Sequence, residues 1–339
     1  MLIFNCVDII YSITSCIVKH AWSKNMLFTK EKKSLLVYLL ALRPKQWTKN
    51  LIVFAAPIFS LQLDPVSLLQ SFLAFVLFCG LSSAFYLLND IADVQSDRCH
   101  PTKCKRPIAA GLVSIPTALT MAGILLVGTV AVGWLHQPLL GSTLIAYALM
   151  QVAYNLRLKH TVILDVICIA SGFVLRACAG AAATGIVVSV WFLLCTAMLA
   201  LFLGIEKRKA ELRVTKLKGG QTRRVLYRYS QPLLTRMEGT VTTGVIMTYA
   251  LWSAGPVVNG ATTPWMMITL PFVAYGVFRY QFLSDPEEIS RRANGTDHGG
   301  KTERPEEILL SDRPLGLTII AWLMMVIAVL SLHNQGILA

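Results

Sequence analysis

Charge is scarce in this sequence. Only 14% of its 339 residues are Asp, Glu, Lys or Arg, whereas a soluble domain carries about 25%. Acidic residues are the scarcer kind, 18 against 31 basic ones, and the formal net charge is +13. Hydrophobic residues make up 55%, and the mean hydropathy is +0.60. Together these figures exclude an ordinary soluble domain and describe an integral membrane protein with many spans. The chain also lacks a P-loop and any Gly-x-Gly-x-x-Gly run after a strand, so those nucleotide-binding routes have no support. It has no basic, aromatic-rich soluble module, so the positive charge does not point to nucleic acid. Membrane topology and anionic substrates or lipids account for such a balance. Eight cysteines are present, but no disulfide framework is suggested. Cys79, Cys168, Cys178 and Cys195 lie in apolar runs and read as small buried hydrophobes. Cys99, His100 and Cys104 are close in sequence, yet their spacing matches no usual zinc pattern and a fourth ligand is missing.

What the chain has in abundance is apolar runs near the ~20 residues that cross a bilayer. Nine are expected, at about 47–63, 66–88, 115–135, 138–154, 162–183, 186–205, 239–258, 264–282 and 315–332. Residues 1–33 form a leader. Its run 7–18 is too short and too polar for a confident span, and 19–33 is basic. The remainder, 34–339, is expected to be one transmembrane domain of an all-α helical bundle, with two four-helix halves and one further helix. Positive charge tests this count. The alternate connections 61–65, 134–141, 183–188 and 256–264, and the tail after 332, contain no Lys or Arg. Every basic residue except Arg176 falls before or near the first span, or in the loops 89–112, 154–161, 205–238 and 279–314. By the positive-inside rule the N-terminus and the charged loops face the cytoplasm and the C-terminus faces outside, in a cell inner or plasma membrane.

The most informative stretch runs from 88 to 111, Leu-Asn-Asp-Ile-Ala-Asp-Val-Gln-Ser-Asp-Arg-Cys-His-Pro-Thr-Lys-Cys-Lys-Arg-Pro-Ile-Ala-Ala-Gly. It sits where the second span leaves the hydrocarbon. On a continuous helix, spacings of three and four place Asp90, Asp93 and Asp97 within about 60° of one another. Carboxylates that close repel, and a divalent cation relieves the repulsion. Hard oxygen donors suit Mg²⁺, which completes its shell with waters and substrate phosphates. Asn89 adjoins them, and Lys103, Lys105 and Arg106 follow as candidate phosphate donors. A solvated helix-end charge cluster is the bland alternative, but ionisable residues at membrane depth are costly and usually functional.

Other polar features cluster on the same side. Arg43-Pro-Lys-Gln-Trp-Thr-Lys-Asn50 opens the first span. It is either an anchor of snorkelling cations with Trp47, or it sends Lys45, Lys49 and Asn50 into a polar cavity to bind phosphate. Tyr154 and Lys159 end the fourth span, and Asp165 begins the fifth. Arg176 lies three turns beyond Asp165 on the same face. As the only cation inside a span it should meet a polar partner, either in a structural ion pair or at a deep anion site. Glu206-Lys-Arg-Lys-Ala-Glu-Leu-Arg213 closes the sixth span, with Lys207 and Glu211 spaced as an i,i+4 pair. Glu206, Lys209 and Arg213 share one face. The run 216–228 reads as a solvated or lipid-facing loop, and 284–314 as a mobile segment or lid.

An Asn-Asp-xxx-Asp-xxx-Asp motif ending the second of nine spans resembles the UbiA superfamily of membrane prenyltransferases, over about residues 35–335. The resemblance implies that the acid motif binds a diphosphate through Mg²⁺. Ordinary members carry a second aspartate-rich motif after the sixth span. Here that place holds the basic run 206–211. With 43–50, His100-Pro-Thr-Lys-Cys-Lys-Arg-Pro107 and Gly172-Phe-Val-Leu-Arg-Ala-Cys-Ala-Gly180, this variant is most similar to the decaprenyl-phosphate phosphoribosyltransferase branch. That branch transfers 5-phosphoribose from phosphoribosyl pyrophosphate to a polyprenyl phosphate.

The resemblance implies Asn89, Asp90, Asp93 and Asp97 for Mg²⁺ and pyrophosphate, the three aspartates being metal ligands. It implies Lys45, Lys49, Asn50, Lys103, Arg106, Lys159, Arg176, Lys207, Arg208 and Lys209 for phosphates. Tyr154 and Asp165 would orient these groups or contact ribose. Loss of pyrophosphate leaves an oxocarbenium-like ribose, and the acceptor phosphate, already ionised, attacks without a strong base. The lipid tail would lie in an apolar groove open to the bilayer. Monomer and homo-oligomer both stay open. The rival readings are prenyl transfer from a prenyl diphosphate to an aromatic acceptor, against which the basic second motif counts, and a membrane transporter or lipid-binding protein without chemistry.

Overall fold

The computed structural model describes residues 30–60, 62–99, 103–218, 224–292 and 312–338. Most of the expected leader, His100 of the Cys99/Cys104 group, and the greater part of the expected lid lie outside these residues. Among the described residues the secondary structure is helical, with no strand. Six helices are long and apolar enough to cross a membrane: α3 (Pro65–Ala92), α5 (Ile115–His136), α6 (Pro138–Leu156), α7 (Leu164–Thr184), α8 (Val190–Lys218) and α12 (Arg313–Asn334). The other three expected spans are helical too, two of them opening as 3₁₀ segments. The first is a 3₁₀ segment, Pro44–Phe54, that continues as the short α2 (Ala55–Phe59). The eighth is a 3₁₀ segment, Pro264–Thr269, that continues as α10 (Leu270–Ser284). The seventh lies in α9 (Gln231–Ser253), whose first turns carry Arg236 and Glu238. Shorter helices α1 (Lys30–Ala41), α4 (Val94–Arg98) and α11 (Pro286–Arg292) flank these.

One device starts four of the long helices. A short polar side chain accepts a hydrogen bond from the backbone N–H three residues on, and a proline stands one or two positions after the cap. Asp64 accepts from Ser67 N at 3.0 Å, Ser114 from Thr117 N at 3.2 Å, Ser230 from Leu233 N at 3.3 Å and Asp312 from Leu315 N at 3.0 Å. The prolines are Pro65, Pro116, Pro232 and Pro314. Each cap satisfies an amide that the helix leaves unpaired, and the fixed φ of proline suits the first turn.

The helices assemble around α7, which packs on the 3₁₀ segment 44–54, α3 and α6 on one side and on α8 on the other. It therefore serves as a shared wall rather than belonging to one of two separate halves. Val53, Phe78, Leu81, Leu140, Leu144 and Ala179 form the core of the first side. Tyr249, Trp252, Met266 and Val326 form a core on the second. The approach of α7 to the 3₁₀ segment is very close: a Cβ on Gly180 would lie 1.9 Å from the Val53 carbonyl oxygen. Leu119, Ile124, Val127 and Leu135 of α5 are exposed, as suits a lipid-facing surface.

Candidate active site at the charged end of the bundle

The 88–111 stretch does not form one continuous helix. The helix α3 ends at Ala92. Asp93 takes φ −94° and ψ 6°, and a new short helix, α4, begins at Val94. This break corrects the expected stripe of three carboxylates. Asp90 and Asp97 are turned inward, with side chains 3% exposed, whereas Asp93 points outward and is exposed. Among the described residues no three His, Cys, Asp or Glu side chains gather as a metal cluster. Two arginines sit with the inward pair instead. Arg106 Nη1 donates to Asp90 Oδ1 at 3.1 Å and to Asp97 Oδ2 at 2.5 Å. Arg43 donates through Nε to Asp90 Oδ2 at 3.3 Å and through Nη2 to Asp90 Oδ1. Its guanidinium also lies over the Tyr86 ring, 5.1 Å from the centroid. Two hard carboxylates that already share a cation between them have the donor chemistry that Mg²⁺ requires.

Arg43 was not among the residues singled out from sequence. The i,i+4 rule favours Lys45 and Lys49, but this segment is 3₁₀, not α-helical, and that rule does not apply to it. Arg43 itself adopts the left-handed conformation, φ 56°, at the junction with α1. Of the phosphate candidates here, Lys45 and Lys103 are exposed and Asn89 is half-buried. Lys49 donates to Gln46 Oε1 at 2.7 Å.

Asn50 and Arg176 meet deep in the bundle, both buried. Arg176 donates through Nε to Asn50 Oδ1 at 2.6 Å, through Nη1 to the Gly172 carbonyl at 2.7 Å and through Nη2 to the Tyr147 hydroxyl at 2.9 Å. The rings of Tyr147, Phe173 and Phe78 surround its guanidinium at 4.9, 5.6 and 5.7 Å. Asn50 donates in turn to Cys79 Sγ and Ser82 Oγ. This corrects the ion-pair reading of Arg176, since its partners are neutral acceptors and aromatic faces, not Asp165. Such faces attract a desolvated cation.

Asp165 turns to α8 instead. It is fully buried and accepts from Arg208 Nε at 2.7 Å and from the Tyr229 hydroxyl at 2.7 Å. Tyr229 in turn accepts from Ile163 N at 2.7 Å, beneath a backbone φ of 73° at that residue. Burial pushes the Tyr229 hydroxyl up, and its bond to Asp165 pushes the same way, so it stays neutral. Arg208 also pairs with Glu211. Lys209 donates to Glu206 Oε1 at 2.9 Å and to Glu238. Arg208 and Lys209 are thus buried with their charges answered by carboxylates. Lys207, just before them, is half-buried. Lys159 and Tyr154 are half-buried nearby, Tyr154 within electrostatic reach of Arg208. Arg43, Tyr147, Tyr229 and Glu238 were missed from sequence. Glu238 carried a signal, being an acid at the edge of an apolar helix in need of a partner.

Comparison with known proteins shows the family. Residues 51–294 match the UbiA prenyltransferase family. The decaprenyl-phosphate phosphoribosyltransferase of Mycobacterium tuberculosis is 36% identical over 288 residues, covering 84% of this chain and 90% of that protein. The protein of the same name from Corynebacterium glutamicum is 35% identical over 294 residues, covering 85% and 84%. A UbiA homologue from Archaeoglobus fulgidus, solved bound to DMAPP and Mg²⁺, shares the fold with a TM-score of 0.63 at 20% identity, covering 87% of this chain and 99% of that one.

Proposed function

The chain belongs to the UbiA prenyltransferase family, and on that footing we propose that it is a Mg²⁺-dependent transferase. It moves 5-phosphoribose from phosphoribosyl pyrophosphate onto a polyprenyl phosphate of the decaprenyl type and releases pyrophosphate. The observation that carries this reading is the 35–36% identity to decaprenyl-phosphate phosphoribosyltransferases over 84–85% of the chain. The residues agree with it. A reaction with one pyrophosphate and two further phosphates needs a metal site and several separate cations, and this end of the bundle holds the inward pair Asp90 and Asp97 among many basic side chains.

Asp90 and Asp97 would hold the metal, with Asp93 and Asn89 at its open side. When bound, Mg²⁺ neutralises the leaving pyrophosphate. Arg106, Lys103, Lys45 and Lys49 take the phosphates on the side of the first two spans, and Lys159 and Lys207 those on the side of α7 and α8. Tyr154 orients ribose or a phosphate between them. Arg176, Asn50, Asp165, Arg208 and Lys209 position helices rather than ligands, because their polar atoms are already engaged in the bundle. The acceptor phosphate is ionised at neutral pH, so the protein needs to place it, not to deprotonate it. Residues 34–339 act as one domain behind the leader 1–33. The active site and N-terminus face the cytoplasm, a reading that the one-sided distribution of Lys and Arg supports.

The test is a membrane assay with radiolabelled phosphoribosyl pyrophosphate, with and without polyprenyl phosphate and Mg²⁺. Label should enter the organic phase only when both are added. Turnover of a prenyl diphosphate with an aromatic acceptor, and no phosphoribosyl transfer, would overturn the proposal.

A further inference from the structure

The inward carboxylates of the first motif are not waiting open. Arg106 Nη1 stands between Asp90 and Asp97, and Arg43 grips Asp90 through two nitrogens. The arrangement is layered. The arginine side chains are 26% and 28% exposed and the two acids 3%, so an incoming ligand meets guanidinium before carboxylate. It is also balanced, with two negative groups against two positive ones. A divalent cation entering alone would have to displace two charge-assisted contacts and leave two half-buried cations without their counter-ions, which a partly desolvated site penalises.

We propose that Arg43 and Arg106 are an internal stand-in for the divalent cation. They hold Asp90 and Asp97 together in the donor-free protein and release them only to a metal that arrives with a pyrophosphate group. The inference rests on the reading of this site given above and adds an order of events to it. Metal and pyrophosphate entering together let every charge change partners without any being stranded. The carboxylates pass to the cation, and the guanidiniums pass to phosphate oxygens, for which their fork geometry is suited. Arg43 is placed for such an exchange. It lies outside the regular helices, in a left-handed conformation of the kind that concentrates at functional sites. The Tyr86 ring beneath it offers a surface along which its plane can slide.

The experiment uses the full chain in nanodiscs, with Mn²⁺ as the probe, read by electron paramagnetic resonance or calorimetry, without any turnover. Wild type should bind Mn²⁺ weakly alone and at least tenfold more tightly when inorganic pyrophosphate is added. Arg43→Gln and Arg106→Gln should each bind Mn²⁺ alone at least tenfold more tightly than wild type, and gain less from pyrophosphate. Asp97→Asn should lose both responses. Melting temperature is read alongside, and either arginine variant that stays folded suffices. The proposal is overturned if wild type binds Mn²⁺ alone as tightly as the folded arginine variants, or if those variants bind it less tightly. If wild type fails to bind Mn²⁺ even with pyrophosphate, the assignment of this site to a metal pyrophosphate fails instead.

Discussion

The pair Asp165–Arg208 gives the sharpest test of which charges are structural. Asp165 is 0% exposed and Arg208 1%, and the two are joined at 2.7 Å across α7 and α8. Replacing Asp165 with Ala leaves the guanidinium buried with only Glu211 to answer it, and strips the Tyr229 hydroxyl of its acceptor. Removing one partner of a buried pair costs roughly 3–5 kcal/mol, whereas replacing both by apolar groups is often neutral. At about 2.1 cal/mol/K of unfolding entropy per residue, a chain of 339 residues shifts by roughly 1.4 °C per kcal/mol, so the single change should lower the melting temperature by roughly 4–7 °C. Arg208→Met should cost a similar amount, because it strands the Asp165 carboxylate. The double variant Asp165→Ala, Arg208→Met should recover most of the loss, since the freed Glu211 is 25% exposed and can turn to water. The assay is thermal unfolding of purified protein in detergent, followed by intrinsic fluorescence. Additive losses in the double variant would refute the reasoning. So would single variants that melt like wild type but lose donor binding, for then the pair contacts substrate.

Three further outcomes follow from the geometry. Asp97→Asn should lower the transfer rate at least ~10²-fold while leaving the melting temperature near that of wild type, as expected when a preorganised electrostatic group is lost; paired rate and unfolding measurements check it. Gly180→Ala should fail to fold or accumulate, because its Cβ would stand 1.9 Å from the Val53 carbonyl oxygen, and fluorescence-detected size exclusion of the tagged protein reads this directly. Tyr147→Phe should destabilise the protein by about 1–3 kcal/mol through the Arg176 donor it leaves unpaired, with KM for the donor unchanged if Arg176 is structural; thermal unfolding and donor titration separate the two effects.

Much of the bundle was legible because hydrocarbon imposes a simple rule on composition. Long apolar runs and one-sided Lys and Arg located the long helices, and the boundaries of α5 and α6 agree with the sequence reading to within two residues. What failed to show was pairing across distance. Periodicity puts Asp165 and Arg176 on one face of a helix, but it cannot say that Asp165 reaches 43 residues ahead to Arg208 while Arg176 reaches 126 back to Asn50. Nor does spacing reveal that a helix stops at Asp93, where three carboxylates counted as one stripe become an inward pair and an outward single. Arg43 was hidden by the same assumption, that the first span opens as an α-helix when it opens as 3₁₀.

The charged end of α8 has a consequence for how the chain enters the bilayer. Glu206 lies three residues before Lys209, and Arg208 three before Glu211. This helix therefore brings two counter-ion pairs of its own, formed within single turns, before any neighbour has arrived. Asp165 on α7 brings none; its cation is on the following helix. A nascent α7 leaving the translocation machinery alone carries an unanswered acid at its entrance, and the arrival of α8 cancels it. The two helices are best inserted as a hairpin. A chain truncated after Thr184 should be held back at the insertion step, one truncated after Lys218 should be released, and Asp165→Asn should remove the difference between them.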